Sequence, residues 1–282
     1  MKNKIIRRAT PEDDEKIKAF CLADNPEDFV PGIWPVWMSG KRTVNLVAQA
    51  DDLIVGCVYG EILSGQNAWL QGLRVSNKYR KKGLGTELIA TLENALLRMG
   101  AQSIYVNIGM FNRASLSTFY KSGWQDERQV LRRRIIPHAK LAGKHVQLTR
   151  EKIVNLIRQH PILASIRKTA YFKRIYFPMN HSYIDQALNR NAIRFSLNER
   201  SYAILDFETN TAEKLWVTAM AGELSGILWL TESLVDEAGQ LGAELVIDSM
   251  NNPTIQSLMD KLGFEPAGKE GTYIVVKKML AQ

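Results

Sequence analysis

The sequence predicts a mixed α/β fold carried twice along one chain, and three observations point there. Strand-like alternation and helix-like periodicity take turns over residues 4–130, and a basic turn with two glycines joins a strand to a helix within that stretch. The pattern of residues 100–124 then returns at 242–264.

The totals are those of a globular chain. At 282 residues and 45% apolar composition there is material for two cores, and no low-complexity tract suggests disorder. The longest apolar stretches are broken by charge or glycine within a few residues, so no membrane-spanning helix is expected. The opening residues carry Lys2, Lys4, Arg7 and Arg8 and run into Glu12, Asp13, Asp14 and Glu15. They lack the apolar core of a secretory leader, and the expected location is the cytoplasm. Two cysteines, Cys21 and Cys57, read as reduced, partly buried side chains. His138, His145, His160 and His181 do not stand at ligand spacing, so no metal site is expected.

The net charge of +8 suits a polyanionic partner, and much of the excess lies between Arg128 and Arg174, including Arg132, Arg133 and Arg134. No stacking aromatics or base-reading motif accompany it. A solvated linker and helix surface is therefore favoured over a nucleic-acid patch.

Along the chain, Lys4 to Ala9 reads as a strand. Thr10-Pro11-Glu12-Asp13 then opens a helix running to about Leu22. The aromatic stretch from Asp28 to Trp37 holds prolines and a glycine that argue against one regular helix throughout, and it suits core packing or a pocket wall. Thr43 to Ala48 and Leu53 to Leu63 form a hairpin about Asp51-Asp52, followed by a strand from Ala68 to Val75. Leu88, Ile89, Leu92, Ala95, Leu96 and Met99 mark a helix that Gly100 stops. A strand over Ser103 to Ile108 and a helix over Asn112 to Ser122, ended by Gly123, complete the pattern.

The turn after Val75 carries the chemistry. Arg80, Lys81, Lys82, Gly83, Leu84, Gly85 and Thr86 lead straight into a helix. Glycines there let successive N–H groups and the positive helix end face one anion, and a pyrophosphate fits. Alone, such a turn also suits an ordinary surface helix cap. It matches neither the P-loop nor the G-x-G-x-x-G fingerprint, which lowers nucleotide hydrolysis and hydride transfer.

With Arg80-x-x-Gly83-x-Gly85 between strand and helix, Asn112-Arg-Ala-Ser115, Phe119-Tyr120 and Gly123-Trp124, the chain resembles the GNAT superfamily over residues 4–130. The resemblance implies a mostly antiparallel sheet flanked by helices, with acetyl-CoA as co-substrate. The pantetheine arm would pair with Leu73, Arg74 and Val75, the pyrophosphate would sit on residues 80–86, and Asn112 and Ser115 would lie along the arm. Tyr120 would protonate the departing thiolate, although a half-buried helix tyrosine is the plain alternative. The base is less defined. Gln71 stands where the family often places a carboxylate, and Glu61 is the best-placed acid on the preceding strand, unless it is a solvated strand-end residue. Water and backbone carbonyls also suffice for an amine that is already partly neutral. Direct attack by the amine, with no covalent enzyme intermediate, is the implied route.

The repeat places Gly242 opposite Gly100, Asn252 opposite Asn112 and Gly263 opposite Gly123. The same register puts Gly222, Ser225 and Ile227 opposite Arg80, Gly83 and Gly85, and Asp260 opposite Tyr120. Apolar positions survive and the chemical ones are lost. The second copy is expected to have a strand over Lys214 to Met220, a helix over Leu224 to Leu241, a strand over Leu245 to Asp248, a helix over Thr254 to Lys261 and a strand over Thr272 to Lys277. Expected divisions are a GNAT domain at 1–135, a basic linker with a crossover helix near Arg150 to Gln159 at 136–164, and a degenerate GNAT-like domain at 165–282. The degenerate copy would wall the substrate pocket, form a homodimer or hold a regulatory ligand.

Asp28, Trp34, Trp37 and Gln71 are similar to positions in a two-domain group related to histidine N-acetyltransferase. That resemblance implies a small-molecule amine, a free amino acid included, as acceptor. Rival functions are a non-catalytic acyl-CoA sensor or adaptor and acetylation of a protein N-terminus or lysine.

Overall fold

A computed structural model of the chain describes residues 4–63, 66–137, 149, 151–152, 155, 166–170, 173–177, 181–206, 213–250, 252–268 and 271–280. The chain divides into two compact units. One comprises Met1–Ile108, Asn112–Glu127 and Val276–Gln282, and the other Gly109–Phe111 and Arg128–Val275. Each unit is thus assembled from separate stretches of the chain.

The first unit is built on the strand order β1 (Lys4–Arg8), β2 (Thr43–Ala50), β3 (Leu53–Ile62), β4 (Asn67–Val75) and β5 (Ser103–Gly109). Its pairs are antiparallel except β4 with β5. Helix α1 (Asp14–Asp24) follows a short 3₁₀ turn at Pro11–Asp13, which the Arg7 guanidinium anchors by a paired contact to the Asp13 carboxylate at 2.7 and 2.8 Å. That contact holds the Asp13 carboxyl below its ordinary range.

The Asp28–Trp37 stretch is more regular than its prolines suggest, because Val30–Met38 forms helix α2 with Pro35 inside it. Pro31 sits in the first turn, where the missing N–H is harmless, and Pro35 removes one bond of a short helix. Burial of Val30, Ile33, Trp34 and Trp37 outweighs that loss. These side chains join Ile17, Cys21, Cys57 and Tyr59 in one core cluster on one face of the sheet. The opposite face, at Gly56 and Gly60, is covered by Leu88, Leu92 and Leu96 of α3 (Leu84–Arg98). Helix α4 (Arg113–Lys121) begins on an Asn112 cap whose side chain accepts from Ser115 N at 3.2 Å. Buried Glu93 accepts from Trp124 at 2.7 Å and from Lys278 at 2.6 Å, binding the C-terminal residues into this unit.

The second unit repeats the plan, with strand order β6 (Gln125–Ile135), β12 (Glu244–Met250), β11 (Lys214–Gly222), β10 (Ser201–Leu205) and β9 (Ile193–Phe195). Again one pair, β11 with β12, is parallel. A separate hairpin pairs β7 (Ile166–Ala170) with β8 (Lys173–Phe177), and α5 (His181–Asn189) follows. Helices α6 (Leu224–Leu241) and α7 (Pro253–Lys261) match the second-copy expectation, and β13 (Glu265–Pro266) and β14 (Thr272–Met279) close the chain. The crossover helix expected near 150–159 falls mostly outside the described residues. At the centre of this unit the fully buried Arg132 meets Asp248 at 2.7 and 3.1 Å, with Trp216 and Tyr273 rings against its guanidinium at 5.3 and 4.5 Å.

Candidate active site

The parallel pair in the first unit is short. It joins Asn67 to Ser103, Ala68 to Ile104 and Trp69 to Tyr105, and beyond Trp69 the two strands are no longer paired with each other. Just past that point β4 bulges: Tyr59 faces Gln71 while Cys57 faces Arg74, so one residue too many lies on β4. Gly72 takes φ +67 there, and a Cβ on it would lie 2.6 Å from the Trp37 ring. Only glycine fits both demands. The bulge and the parted strands leave Leu73, Arg74 and Val75 beside an opening in the sheet.

That opening ends at the basic turn. Gly83 caps α3 with φ +84 and Lys81 has φ +58, a pair of left-handed residues that turns the backbone toward the helix start. No side chain caps the helix, and its first backbone bond runs from Glu87 N to Gly83 O at 3.0 Å. The amides of Leu84, Gly85 and Thr86 therefore form an open first turn. A Cβ on Gly85 would meet only Thr118 and Val75, at 3.7 Å. Such a turn fits an anion of pyrophosphate size. The Arg80 guanidinium binds Val75 O at 2.9 Å and Asp24 at 3.3 Å, and Asp24 also receives Asn77. It braces the turn from within, while Lys82 lies over the Tyr79 ring at 5.8 Å.

On α4, the Asn112 Oδ1 is taken by the cap bond to Ser115, which leaves its Nδ2 as the group able to bind an arm. Tyr120 is 41% exposed and its hydroxyl donates to Asp126 at 2.7 Å. Burial, then the Asp126 carboxylate, push the phenol up to about 12 against an opposing pull from Arg113. The hydroxyl thus stays protonated across the neutral range, as a general acid must. The sequence reading missed Asp126. Its only signal was a carboxylate at the start of the strand after Gly123-Trp124.

The α1–α2 face holds the acceptor candidates. Asp28 is taken up, since both its oxygens receive Arg74 at 2.6 and 2.8 Å and Oδ1 also receives Val30 N at 3.0 Å. It shapes the wall and offers no free carboxylate. Trp34 packs edge-on against Trp37, which stacks on Tyr59 at 4.4 Å. Burial, followed by the charge of Glu61 and its hydrogen bond, pushes the Tyr59 hydroxyl far above its usual range. Glu61 lies two residues along β3 from Tyr59, on the same face. Cys21 and Cys57 are buried free thiols, and the hydrogen bond to Cys21, with burial, raises the Cys57 thiol well above its ordinary range. A thiol held protonated is no nucleophile.

In the second unit the equivalent turn is closed. Backbone bonds from Gln102 N to Gln66 O and from Glu244 N to Glu213 O are the same bond in the two copies. They set Gly222 near Val75 at the end of the strand, several residues before the Arg80 position that the repeat register gives it. The sequence register holds along the helix and fails before it, because the connecting loop is shortened to Glu223 alone. Arg200 pairs with Glu223 at 2.9 Å, Ser201 Oγ donates to Glu223 O at 2.9 Å, and a Cβ on Gly226 would lie 2.2 Å from Ser201 Oγ. Asp260 occupies the Tyr120 position of α7. Among the described residues no cluster able to hold a metal ion occurs, and no helix is long and apolar enough to cross a membrane.

An opened parallel pair, a bulged strand and an uncapped glycine turn are the parts that an acyl-CoA-dependent acetyltransferase needs. Residues 11–124 match the acetyltransferase (GNAT) family, and this part of the chain is a GNAT domain. Acetyl-CoA is the co-substrate of that family. Over the whole chain, the fold is similar to a GCN5-related N-acetyltransferase from Sphaerobacter thermophilus (TM-score 0.65, 16% identity, 100% of this chain and 97% of that one). It is also similar to a tandem GNAT protein from the clavulanic acid biosynthesis pathway (TM-score 0.54, 11% identity, 99% of each chain). Over the whole chain the fold is thus that of tandem GNAT proteins. No curated protein matches the sequence.

Proposed function

We propose that the chain transfers the acetyl group of acetyl-CoA to a primary amine of a small molecule, free amino acids included, by direct attack. The observation that carries this is the opening between β4 and β5, which starts at the Gly72 bulge and ends at the uncapped turn of α3. Residues 73–75 offer strand edges to a pantetheine arm, and the amides of residues 84–86 face its pyrophosphate. Acetyl-CoA supplies an activated thioester carbonyl.

The amine nitrogen bonds to the acetyl carbon as the C–S bond breaks and its electron pair leaves on sulfur. Tyr120 gives that sulfur its proton, and the amine's proton passes to Glu61, directly or through water. The test is acceptor-dependent release of free thiol from acetyl-CoA. Release that is abolished by Gly83→Glu and cut roughly 100-fold by Tyr120→Phe supports the reading. Tight acetyl-CoA binding with no release on any amine would replace it with an acyl-CoA sensor.

A further inference from the structure

The acceptor face contains more unanswered donors than a settled core keeps. Trp34 Nε1, Trp37 Nε1, Gln71 Nε2 and Asn45 Oδ1 are sealed from solvent and have no hydrogen-bond partner. Leaving a buried donor or acceptor unpaired is costly, so several together in one place are unusual in a native protein. They do lie together. Asn45, Tyr59 and Gln71 form one row across β2, β3 and β4, Trp37 stacks on Tyr59, and the Trp34 ring centre is 5.9 Å from that of Trp37. Gln71 directly precedes the Gly72 bulge, so this row adjoins the opening where the thioester belongs.

The balance of the set specifies what it recognises. Three of the four atoms are N–H donors, and the nearby Asp28 carboxylate is already occupied by Arg74 and Val30. Asn45 Nδ2 donates to Trp37 O at 3.1 Å, which leaves Oδ1 as the acceptor for one N–H. The set therefore calls for a ligand with oxygen lone pairs and an N–H close by. Neighbouring strands are roughly 5 Å apart, which limits the distance between that oxygen and an amine placed at the bulge. A polyamine or the end of a lysine side chain brings only further donors there.

Resting on the transferase reading, we infer that the acceptor is an α-amino carbonyl compound, whose amine reacts while its own carboxylate or amide oxygen is held by Gln71, Trp34 and Trp37. A buried site built to bind an oxygen rejects an analogue lacking it far more strongly than an apolar pocket rejects a missing methylene. Gln71 is only partly buried, and the expected discrimination is roughly 100-fold or more in kcat/KM.

The experiment measures thiol release with the standard amino acids, their amides and a dipeptide against the corresponding decarboxylated amines and cadaverine. The position of acetylation in lysine is read by mass spectrometry. The inference expects α-amino compounds to lead by roughly 100-fold or more, lysine to be acetylated on its α-nitrogen, and Gln71→Leu to narrow that lead with acetyl-CoA binding unchanged. Free amino acids ahead of the dipeptide, or the reverse, decides between a metabolite and a peptide end as the source. Acetylation of the lysine side chain, equal rates on decarboxylated amines, or turnover confined to amines without a carbonyl overturns the inference and leaves the transferase standing. Absence of release with every amine brings down both.

Discussion

The two copies differ most in the few residues that leave the central strand. In the first, residues 76–83 intervene between β4 and α3, Gly83 turns the backbone at φ +84, and the first amides of the helix lie open. In the second, Glu223 alone separates β11 from α6, and Arg200, Ser201 and Glu223 close around the helix start. Both copies keep the bulged central strand, the parallel pair beside it and the Asn-capped helix that follows. The fold survives loss of the cradle because sheet and helices are held by apolar burial, whereas an anion cradle needs slack backbone.

The largest break in that comparison is expected from Gly83→Glu. It forces a non-glycine residue into a left-handed conformation and sets a negative charge on the helix start. Calorimetry should show loss of coenzyme A binding by roughly 100-fold or more, since both effects oppose the same anion. Ser225→Glu, on the first turn of the second copy's helix, should leave binding unchanged.

Arg132→Leu should come next, because it strands the buried Asp248 charge. Loss of about 3–5 kcal/mol is expected in denaturant unfolding, and Arg132→Leu with Asp248→Leu should recover much of it. Equal instability of the single and double variants would show that packing, not charge, holds that site.

Tyr120→Phe is expected to lower kcat roughly 100-fold with acetyl-CoA affinity intact, and Asp260→Tyr in the second copy should restore nothing. The smallest effect is Asp126→Asn. Removing that carboxylate favours the tyrosinate, so the phenol should fall from about 12 toward its ordinary value. Because the acid form is the active one, the alkaline limb of the kcat profile should move to lower pH. An unmoved limb would separate Tyr120 from the proton step.

Local features of this account were legible in the sequence. The strand-to-helix glycine turn, the helix ending before Gly100, the Asn112 cap and α6 at Leu224–Leu241 all rest on patterns within one or two turns of chain. What was missed depends on distant partners. Helix α2 tolerates Pro35 because four of its side chains are buried, Arg80 turns inward because Asp24 is within reach, and Asp126 meets Tyr120 across a turn. The repeat register slipped for the same reason. Apolar spacing aligns helices well, but the shortened loop before α6 becomes visible only when the backbone bonds of the two sheets are matched.

The central claim is that one chain has one coenzyme A site, and that the first copy alone provides it. Titration calorimetry of the native chain against Gly83→Glu tests it most directly. One coenzyme A per native chain and none for the variant is the predicted result. Two per native chain, or undiminished binding by Gly83→Glu, would contradict it.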